Sequence, residues 1–310
     1  MAGLFSYSFA GVGFLVIAAL ESLAPSLPSA ARPSLLTLRF LSTAALSLFF
    51  IADTIASTFS SLLYHHDPLG APLPLSTLAA SSLFLLYSLS GILSLRSLLP
   101  VPLELLDLLL FFAFSEEFLH LRLGLRKDPD GLEHRYFELL LVPVLVCALS
   151  TLLSIARPRH SAPRFIRAAA LSLHGTWLIQ MGFSFFSSAM AHGCDLHSRS
   201  RANYTIRCRD HADTHRASAI ATLQFNCHLA LLIVTSSAVY SVISAGKRQL
   251  NRSRGYRPLN KELQRMSHVS PSRFTLLDDE EAEEIAVATD ANGDDVVLPV
   301  SEANGFHGSY

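Results

Sequence analysis

Seven long apolar runs, separated by short polar segments, constrain this chain more than any other feature of its sequence. Each run has close to or more than the ~20 residues with which a helix crosses a ~30 Å hydrocarbon layer. Within such a layer the backbone amides find hydrogen-bond partners only inside a helix, so every run is predicted to be helical. The runs lie at about 3–23, 35–59, 75–98, 101–121, 135–156, 165–190 and 217–244.

The boundary between the third and fourth runs and the assignment of the first run as a span both need further evidence. The break between the third and fourth runs depends on Arg96 and on the Pro-Val-Pro segment at 100–102, because proline ends a helix. The first run has an alternative interpretation as a secretory signal peptide that is cleaved near Ser29. A signal peptide begins with a basic segment, whereas no Lys or Arg precedes Arg32, so we interpret the run as a span.

The charged residues are concentrated at the C-terminal end. Residues 247–310 hold 8 basic and 11 acidic residues, whereas the 246 residues before them hold only 16 and 14. We therefore predict an all-α, polytopic seven-helix transmembrane domain at 1–246 and a disordered cytosolic tail at 247–310. The tail is basic beside the membrane, which favours anionic inner-leaflet lipids as partners, and then acidic. The net charge of −1 gives no reason to expect a nucleic-acid partner.

The distribution of basic residues predicts the orientation of the spans. Seven spans place the two termini on opposite sides of the membrane. With a cytosolic C-terminus, the cytosolic segments hold 14 Lys and Arg residues near the membrane and the exoplasmic segments hold 9. Because short cytosolic loops are enriched in basic residues, we expect an exoplasmic N-terminus and a cytosolic C-terminus.

The last exoplasmic segment, at 191–216, supports this orientation. It contains Cys194 and Cys208 as a candidate disulfide and, between them, Asn203 as a candidate glycosylation site in an Asn-Tyr-Thr sequon. Both modifications take place on the exoplasmic side of a membrane. Two free thiols and an unmodified sequon remain the alternatives.

Several polar residues lie inside the predicted spans, where an ionisable group costs ~2.5–3.5 kcal/mol unless it faces the protein interior. Glu117 and His120 are three residues apart and share a helix face, and the polar segment that follows would return His134 to their side. A carboxylate with imidazoles suits a divalent metal such as zinc. The metal-ligand candidates are Glu117, His120, His134, His174 and His228; the further intramembrane polar residues are Asp53, Asp107, Gln180 and Gln224.

These polar residues also have interpretations that need no metal. Glu116 or Glu117 could pair with Arg122 or Arg135 at the membrane surface, and the nearby histidines could cap helix ends. His174 and His228 lie at similar depths in consecutive spans, so we expect a hydrogen bond between them. No cofactor is assured by the sequence.

Two segments of the later spans resemble a known family. LHGTWLIQMGFSFF, at 173–186, is similar to the Gly-Thr-Trp-x-x-Gln-x-Gly-Phe signature of the transmembrane protein 45 family, which includes plant proteins grouped under a domain of unknown function. LQFNCHLALL, at 223–232, resembles the Leu-Gln-Phe-Asn-x-His block of the same family. The resemblance implies an integral protein with seven spans and no assigned reaction.

Three hypotheses for the function remain open after the sequence is read. The first is a multi-pass protein of the plasma membrane or endomembrane system that is not an enzyme and acts with unknown protein partners, in trafficking or stress signalling. The second is an intramembrane metal-dependent hydrolase that uses the Glu and His residues of the bundle. The third is a proton-coupled carrier of small solutes, suggested by Asp53 and Asp107 inside spans.

Overall fold

Seven helices and one β-hairpin make up the described part of the chain. The computed structural model describes residues 2–24, 30–63, 72–125, 131–158, 160–187, 191–198 and 204–255. The elements are α1 (Ala2–Leu23), α2 (Arg32–Leu63), α3 (Pro72–Leu95), α4 (Leu103–Leu125), α5 (Leu132–Ala156), α6 (Ala162–Phe186), β1 (Cys194–Ser198), β2 (Tyr204–Cys208) and α7 (His211–Gly255). Up to the last turn of α7 they belong to one compact unit, Met1–Ser253.

Each predicted apolar run corresponds to one helix, and the break at 96–102 falls between α3 and α4. Five of the helices are long and apolar enough to cross a membrane: α1, α2, α3, α5 and α7. α4 contains Glu104, Asp107, Glu116 and Glu117, and α6 contains Arg164 and Arg167, so these two helices are more polar. The protein is therefore helical and membrane-embedded, with at least these five helices as candidate spans.

The first six helices form a closed ring. Consecutive helices from α1 to α6 pack side by side in chain order, and α6 returns to pack against α1. Short connections favour this arrangement, because they place each helix antiparallel beside the one before it. α7 packs on the outside of the ring, where Phe225 meets the edge of Trp177 of α6 at a centroid distance of 5.0 Å. Arg135 of α5 donates a hydrogen bond to Thr222 of α7 over 3.0 Å.

The contact between α1 and α6 depends on two glycines. A Cβ atom on Gly175 would lie 2.6 Å from the carbonyl oxygen of Gly11, and one on Gly11 would lie 2.5 Å from that of Gly175. Glycine allows the backbones of two helices to touch, which is a common device in membrane bundles. This contact closes the ring and brings side chains from the two ends of the sequence together.

The outer surface of the ring is apolar. Large hydrophobic side chains are exposed on every helix, among them Phe5, Leu38, Leu86, Phe112, Leu149, Phe183 and Leu231. Exposed apolar residues on this scale would be unfavourable in water and are expected of helices that face lipid. The charged side chains that line the cavity, discussed below, point in the opposite direction, into the ring.

A disulfide-closed hairpin lies over one end of the ring. β1 and β2 pair antiparallel with Cys194 opposite Cys208, and these two cysteines form a disulfide. The backbone N–H of Ile206 donates to Glu133 of α5 over 2.8 Å, which fixes the hairpin to the ring. The hairpin is the one departure from the predicted all-α fold among the described residues. We name this end of the ring the hairpin end.

Two sequence predictions fall largely outside the described residues. α7 continues to Gly255, so the first nine residues of the predicted tail at 247–310 are helical. The remainder of the tail, at 256–310, and the sequon residue Asn203 lie beyond what the structure describes. The division into a membrane domain and a disordered tail therefore stays a prediction, as do the glycan and the contact of the tail with anionic lipids.

Candidate functional site

A cavity of about 320 Å³ lies inside the helix ring. All six helices from α1 to α6 contribute to its wall, and Tyr204 of β2 contributes from the hairpin. It extends from the hairpin end to the opposite end, where Arg39 and Arg167 lie and which we name the arginine end. Of the residues described in α7, none lines it.

A cluster of charged and polar side chains occupies the arginine end, with one member from each helix of the ring. Arg167 of α6 is 2% exposed, and its guanidinium donates two hydrogen bonds to Oε1 of Glu21 of α1, the one from Nε over 2.8 Å. It also donates to Thr151 of α5 over 3.2 Å and lies 3.9 Å from Asp107 of α4. We name this set the arginine cluster: Glu21, Arg39, Tyr87, Asp107, Thr151 and Arg167.

Arg39 of α2 completes this cluster. Its Nη2 donates to the hydroxyl of Tyr87 of α3 over 2.8 Å, and its Nη1 lies 3.9 Å from Glu21. The two guanidinium groups are thus balanced by the two carboxylates, Glu21 and Asp107. A buried ion pair is tolerated when its charges cancel and its hydrogen-bonding groups are satisfied. Here the charges cancel and one side chain from each of six helices takes part, while Nε of Arg39 is buried without a partner.

The middle of the cavity is marked by one carboxylate and one imidazole. Oε1 of Glu117 of α4 lies 3.5 Å from Nε2 of His174 of α6, and the imidazole ring stacks on Phe14 of α1 at 4.2 Å. The second atoms of both groups, Oε2 of Glu117 and Nδ1 of His174, are buried without a hydrogen-bond partner in the protein. Nε of Arg39 at the arginine end and Oε1 of Glu133 of α5 are buried without a partner too, so the cavity has unused hydrogen-bonding capacity in its middle and near both ends.

Several polar contacts line the hairpin end. The hydroxyls of Tyr7 and Tyr204 lie 2.6 Å apart and join α1 to the hairpin. Burial raises the pKa of Tyr204 well above its usual value, so this hydroxyl keeps its proton. Ser6 donates to Asp53 over 3.4 Å. This end is consequently polar but closed off by the hairpin.

The structure brings some of the predicted metal ligands together and separates others. Glu117 and His174 are in contact, while His120 and His134 line the same cavity with different partners. His120 contacts Ser76 of α3 with Nδ1 at 2.7 Å, and His134 contacts the carbonyl oxygen of Leu125 with Nδ1 at 3.1 Å. Within the described ranges, no three His, Cys, Asp or Glu side chains are close enough to hold one metal ion. A zinc site at these residues stays a prediction.

The expected hydrogen bond between His174 and His228 is wrong. His174 points into the ring towards Glu117, whereas His228 of α7 meets the edge of Trp177, with the ring centroids 6.0 Å apart. The two residues lie at similar depths but on different sides of α6, because α7 is outside the ring. The alternative that paired Glu116 or Glu117 with Arg122 or Arg135 does not hold for Glu117, which contacts His174, and Arg135 pairs with Glu138 at 2.6 Å.

Of the other predicted intramembrane polar residues, the two aspartates lie at the cavity or the arginine cluster, and the two glutamines do not. Asp53 lines the cavity and Asp107 contacts the arginine cluster. Gln180 donates to Ser184 on its own helix over 3.3 Å, and Gln224 accepts a hydrogen bond from Tyr136 over 3.4 Å, outside the cavity. The aspartates therefore belong to the site, and the glutamines contribute to packing.

Sequence reasoning missed the arginine cluster. Glu21, Arg39 and Arg167 lie within the apolar runs at 3–23, 35–59 and 165–190, which is the signal that identified Asp53 and Asp107. Arg39 and Arg167 had instead been counted as loop residues in the prediction of orientation. Without these two, the cytosolic count falls from 14 to 12 against 9 exoplasmic residues. The excess of cytosolic basic residues that predicts the orientation is therefore smaller.

The comparison with protein families agrees with the resemblance in the sequence without naming an activity. Residues 103–241 match a family described as "Family of unknown function (DUF716)". The matched range covers α4 to α6, the hairpin and most of α7, and includes Asp107, Glu117, Arg167 and His174. A comparison with curated proteins finds no match. Over this range, then, the chain is similar to a family whose function is itself unknown.

Proposed function

We propose that this protein holds a small molecule inside the ring of α1 to α6 and is not an enzyme. The observation that carries the proposal is the cavity of about 320 Å³, which is polar at both ends and, apart from Glu117 and His174, mainly apolar between them. Ligand pockets of roughly 300–1,000 Å³ with a largely apolar lining and a few polar groups are typical of small-molecule sites. Phe14, Leu110 and Phe114 are among the apolar residues of the wall.

The same proposal includes seven spans, with α4 and α6 crossing the membrane beside the five apolar helices. The charged residues of these two helices are compatible with a span because several face the interior: Glu117 pairs with His174, and Arg167 pairs with Glu21. The N-terminus is then exoplasmic and the C-terminus cytosolic. The disulfide of the hairpin supports this orientation, since disulfides form in exoplasmic compartments.

A carrier of small solutes is the second candidate function, and it would use the same cavity. Ionisable side chains line the cavity at successive depths, with Asp53 near the hairpin, Glu117 in the middle and Glu21 at the arginine end. Such residues inside spans mark ion and proton pathways. The geometry favours the hydrolase hypothesis less, because its candidate ligands have separate partners. A role in trafficking or stress signalling stays an expectation from the sequence.

Two neighbouring alanines of α3 provide the test. Ala80 is buried and lines the cavity, whereas Ala79 is exposed on the outer surface of the same helix. Ala80→Phe fills the cavity, and Ala79→Phe adds the same side chain outside it. Wild type and both variants would be purified in lipid nanodiscs, and co-purifying small molecules would be quantified by mass spectrometry.

We expect one small molecule to accompany the wild type and Ala79→Phe and to be largely lost from Ala80→Phe. Thermal unfolding of the three proteins shows whether each variant is folded, and Ala80→Gly, which enlarges the cavity, provides a second variant that retains the molecule. Equal small-molecule content in the wild type and a folded Ala80→Phe would overturn the proposal.

A further inference from the structure

We infer that the ligand of this cavity carries a protonated amine that binds between Glu117 and His174. The apolar body of the ligand lies along the aromatic rings of Phe14, Phe84 and Phe114 in the cavity wall. This inference rests on the proposed function and specifies the chemical class of the ligand. Four described residues of the lining have a buried side-chain atom without a hydrogen-bond partner, and the inference starts from the two that are adjacent, Oε2 of Glu117 and Nδ1 of His174.

When Glu117 is ionised, both of these atoms are hydrogen-bond acceptors. A neutral imidazole carries one N–H group, and its position follows from the hydrogen-bond network. Nε2 of His174 faces Oε1 of Glu117 at 3.5 Å, so the proton belongs on Nε2 and Nδ1 keeps a lone pair. An ionised carboxylate only accepts hydrogen bonds. A ligand that satisfies both atoms must therefore donate, and an ammonium group has three N–H donors.

The charges of the cavity wall also call for a cation. Of the described residues that line it, the Lys and Arg residues are Arg39 and Arg167, and both lie at the arginine end. There they are balanced by Glu21 and Asp107. No Lys or Arg of the described lining is left to neutralise an ionised Glu117. A monocation supplies that charge, whereas an anionic ligand would meet a carboxylate.

The walls beside Glu117 suit the remainder of an amine. Phe114 precedes Glu117 by three residues on α4 and so shares its helix face. Phe84 of α3 meets the edge of Phe114 at 5.2 Å, and Phe14 stacks on His174. Aromatic faces attract cations and bury apolar groups at the same time. An amphipathic amine is complementary to this combination of one carboxylate, one imidazole and three phenyl rings.

A metal ion is the competing occupant of the same two atoms. A zinc site needs at least three protein ligands, and among the described side chains no third His, Cys, Asp or Glu joins Glu117 and His174. The apolar rings around the pair also give a metal no further ligand. The structure therefore favours the amine, and zinc becomes one arm of the test.

The test compares two molecules that differ only in their polar group. The probes are 2-phenylethylamine and 2-phenylethanol, added at equal concentration and neutral pH to the full chain in nanodiscs, with zinc chloride as a third addition. The readout is the shift of the thermal unfolding midpoint, because a ligand that binds only the folded state raises it. Glu117→Gln removes the carboxylate, and Glu116→Gln is the matched control, since Glu116 is adjacent but does not line the cavity.

We expect the amine to raise the midpoint of the wild type and of Glu116→Gln by several degrees more than the alcohol does, and this preference to disappear in Glu117→Gln. An equal response to the two probes, an amine response that persists in Glu117→Gln, no response to either, or stabilisation by zinc but not by the amine would each overturn the inference. If both probes bind equally and Ala80→Phe abolishes both responses, the amine inference fails while the proposed cavity function stands.

Discussion

Two adjacent glutamates show that a shift of one position along a helix changes what a side chain contacts. Glu116 and Glu117 have the same chemistry and neighbouring places in α4, but one helical residue corresponds to a rotation of about 100°. Glu117 consequently points to His174 inside the ring, whereas Glu116 does not line the cavity. The sequence identified both residues as unusual for an apolar helix, and only the packing of α4 against its neighbours distinguishes them.

The pair of Arg167 and Glu21 leads to a prediction about stability. Arg167→Met would leave the carboxylate of Glu21 buried with its main partner removed, which costs about 3–5 kcal/mol in comparable buried pairs. We expect this loss in the free energy of unfolding, measured by denaturant titration in detergent micelles. Arg164→Met is the control, because Arg164 is exposed on the same helix and its replacement should change the stability little.

A double variant separates charge pairing from a simple loss of packing. Glu21→Leu combined with Arg167→Met removes both partners, so we expect it to be more stable than Arg167→Met alone. If the double variant were as unstable as the sum of the two single variants, the two residues would act independently and the ion pair would not account for the effect.

At the scale of elements, the contact between α1 and α6 decides whether a Gly→Ala substitution raises or lowers the free energy of unfolding. Gly→Ala inside a helix usually stabilises it by about 1 kcal/mol. At Gly175 the added methyl group would meet the backbone of Gly11 at 2.6 Å, so the helices must move apart. We expect Gly175→Ala to destabilise the protein by roughly 1–3 kcal/mol, as overpacked cores do.

Gly124 of α4 is the matched control for this prediction. A Cβ atom there would have no heavy atom within 4 Å, so Gly124→Ala should leave the stability unchanged or raise it slightly. Unfolding free energies of the two variants, measured side by side, provide the comparison. A stable Gly175→Ala protein would mean that the backbones of α1 and α6 are not in contact.

The hairpin shows why one element was not predicted. Its two strands, Cys194–Ser198 and Tyr204–Cys208, have only five residues each, but they do alternate apolar and polar side chains, and sequence reasoning overlooked this signal. What holds it in place comes from far away in the sequence: Glu133 accepts from Ile206, and Tyr7 contacts Tyr204. The cysteines and the sequon predicted an exoplasmic segment, and these contacts with α1 and α5 hold its strands against the ring.

At the scale of the whole molecule, the orientation of the chain in the membrane is open to a direct test. If the hairpin is exoplasmic, Asn203 is available for glycosylation, and Asn203→Gln should remove the mass that an endoglycosidase releases from the protein expressed in eukaryotic cells. A sequon introduced into the tail after Lys247 serves as the reverse control and should stay unmodified. Glycosylation of that tail sequon would reverse the proposed orientation.

The closure of the ring, too, is a property of the whole molecule. Helix neighbours from α1 to α6 follow from short connections, and the sequence makes each of those contacts easy to expect. The return of α6 to α1 does not follow from any connection, because the two helices are separated by almost the whole domain. This one contact closes the ring of helices around the cavity, and without it the polar residues would line an open groove.

The sequence by itself determined the helices, their approximate bounds and the membrane class of the protein, because long apolar runs have few other stable solutions in lipid. It also identified Asp53, Asp107, Glu117 and His174 as residues that need a polar environment. The tertiary structure alone decided their partners. Which face of a helix points inward depends on packing between segments far apart in the chain, and that packing placed Glu117 against His174, left His228 outside the ring and joined Arg167 to Glu21.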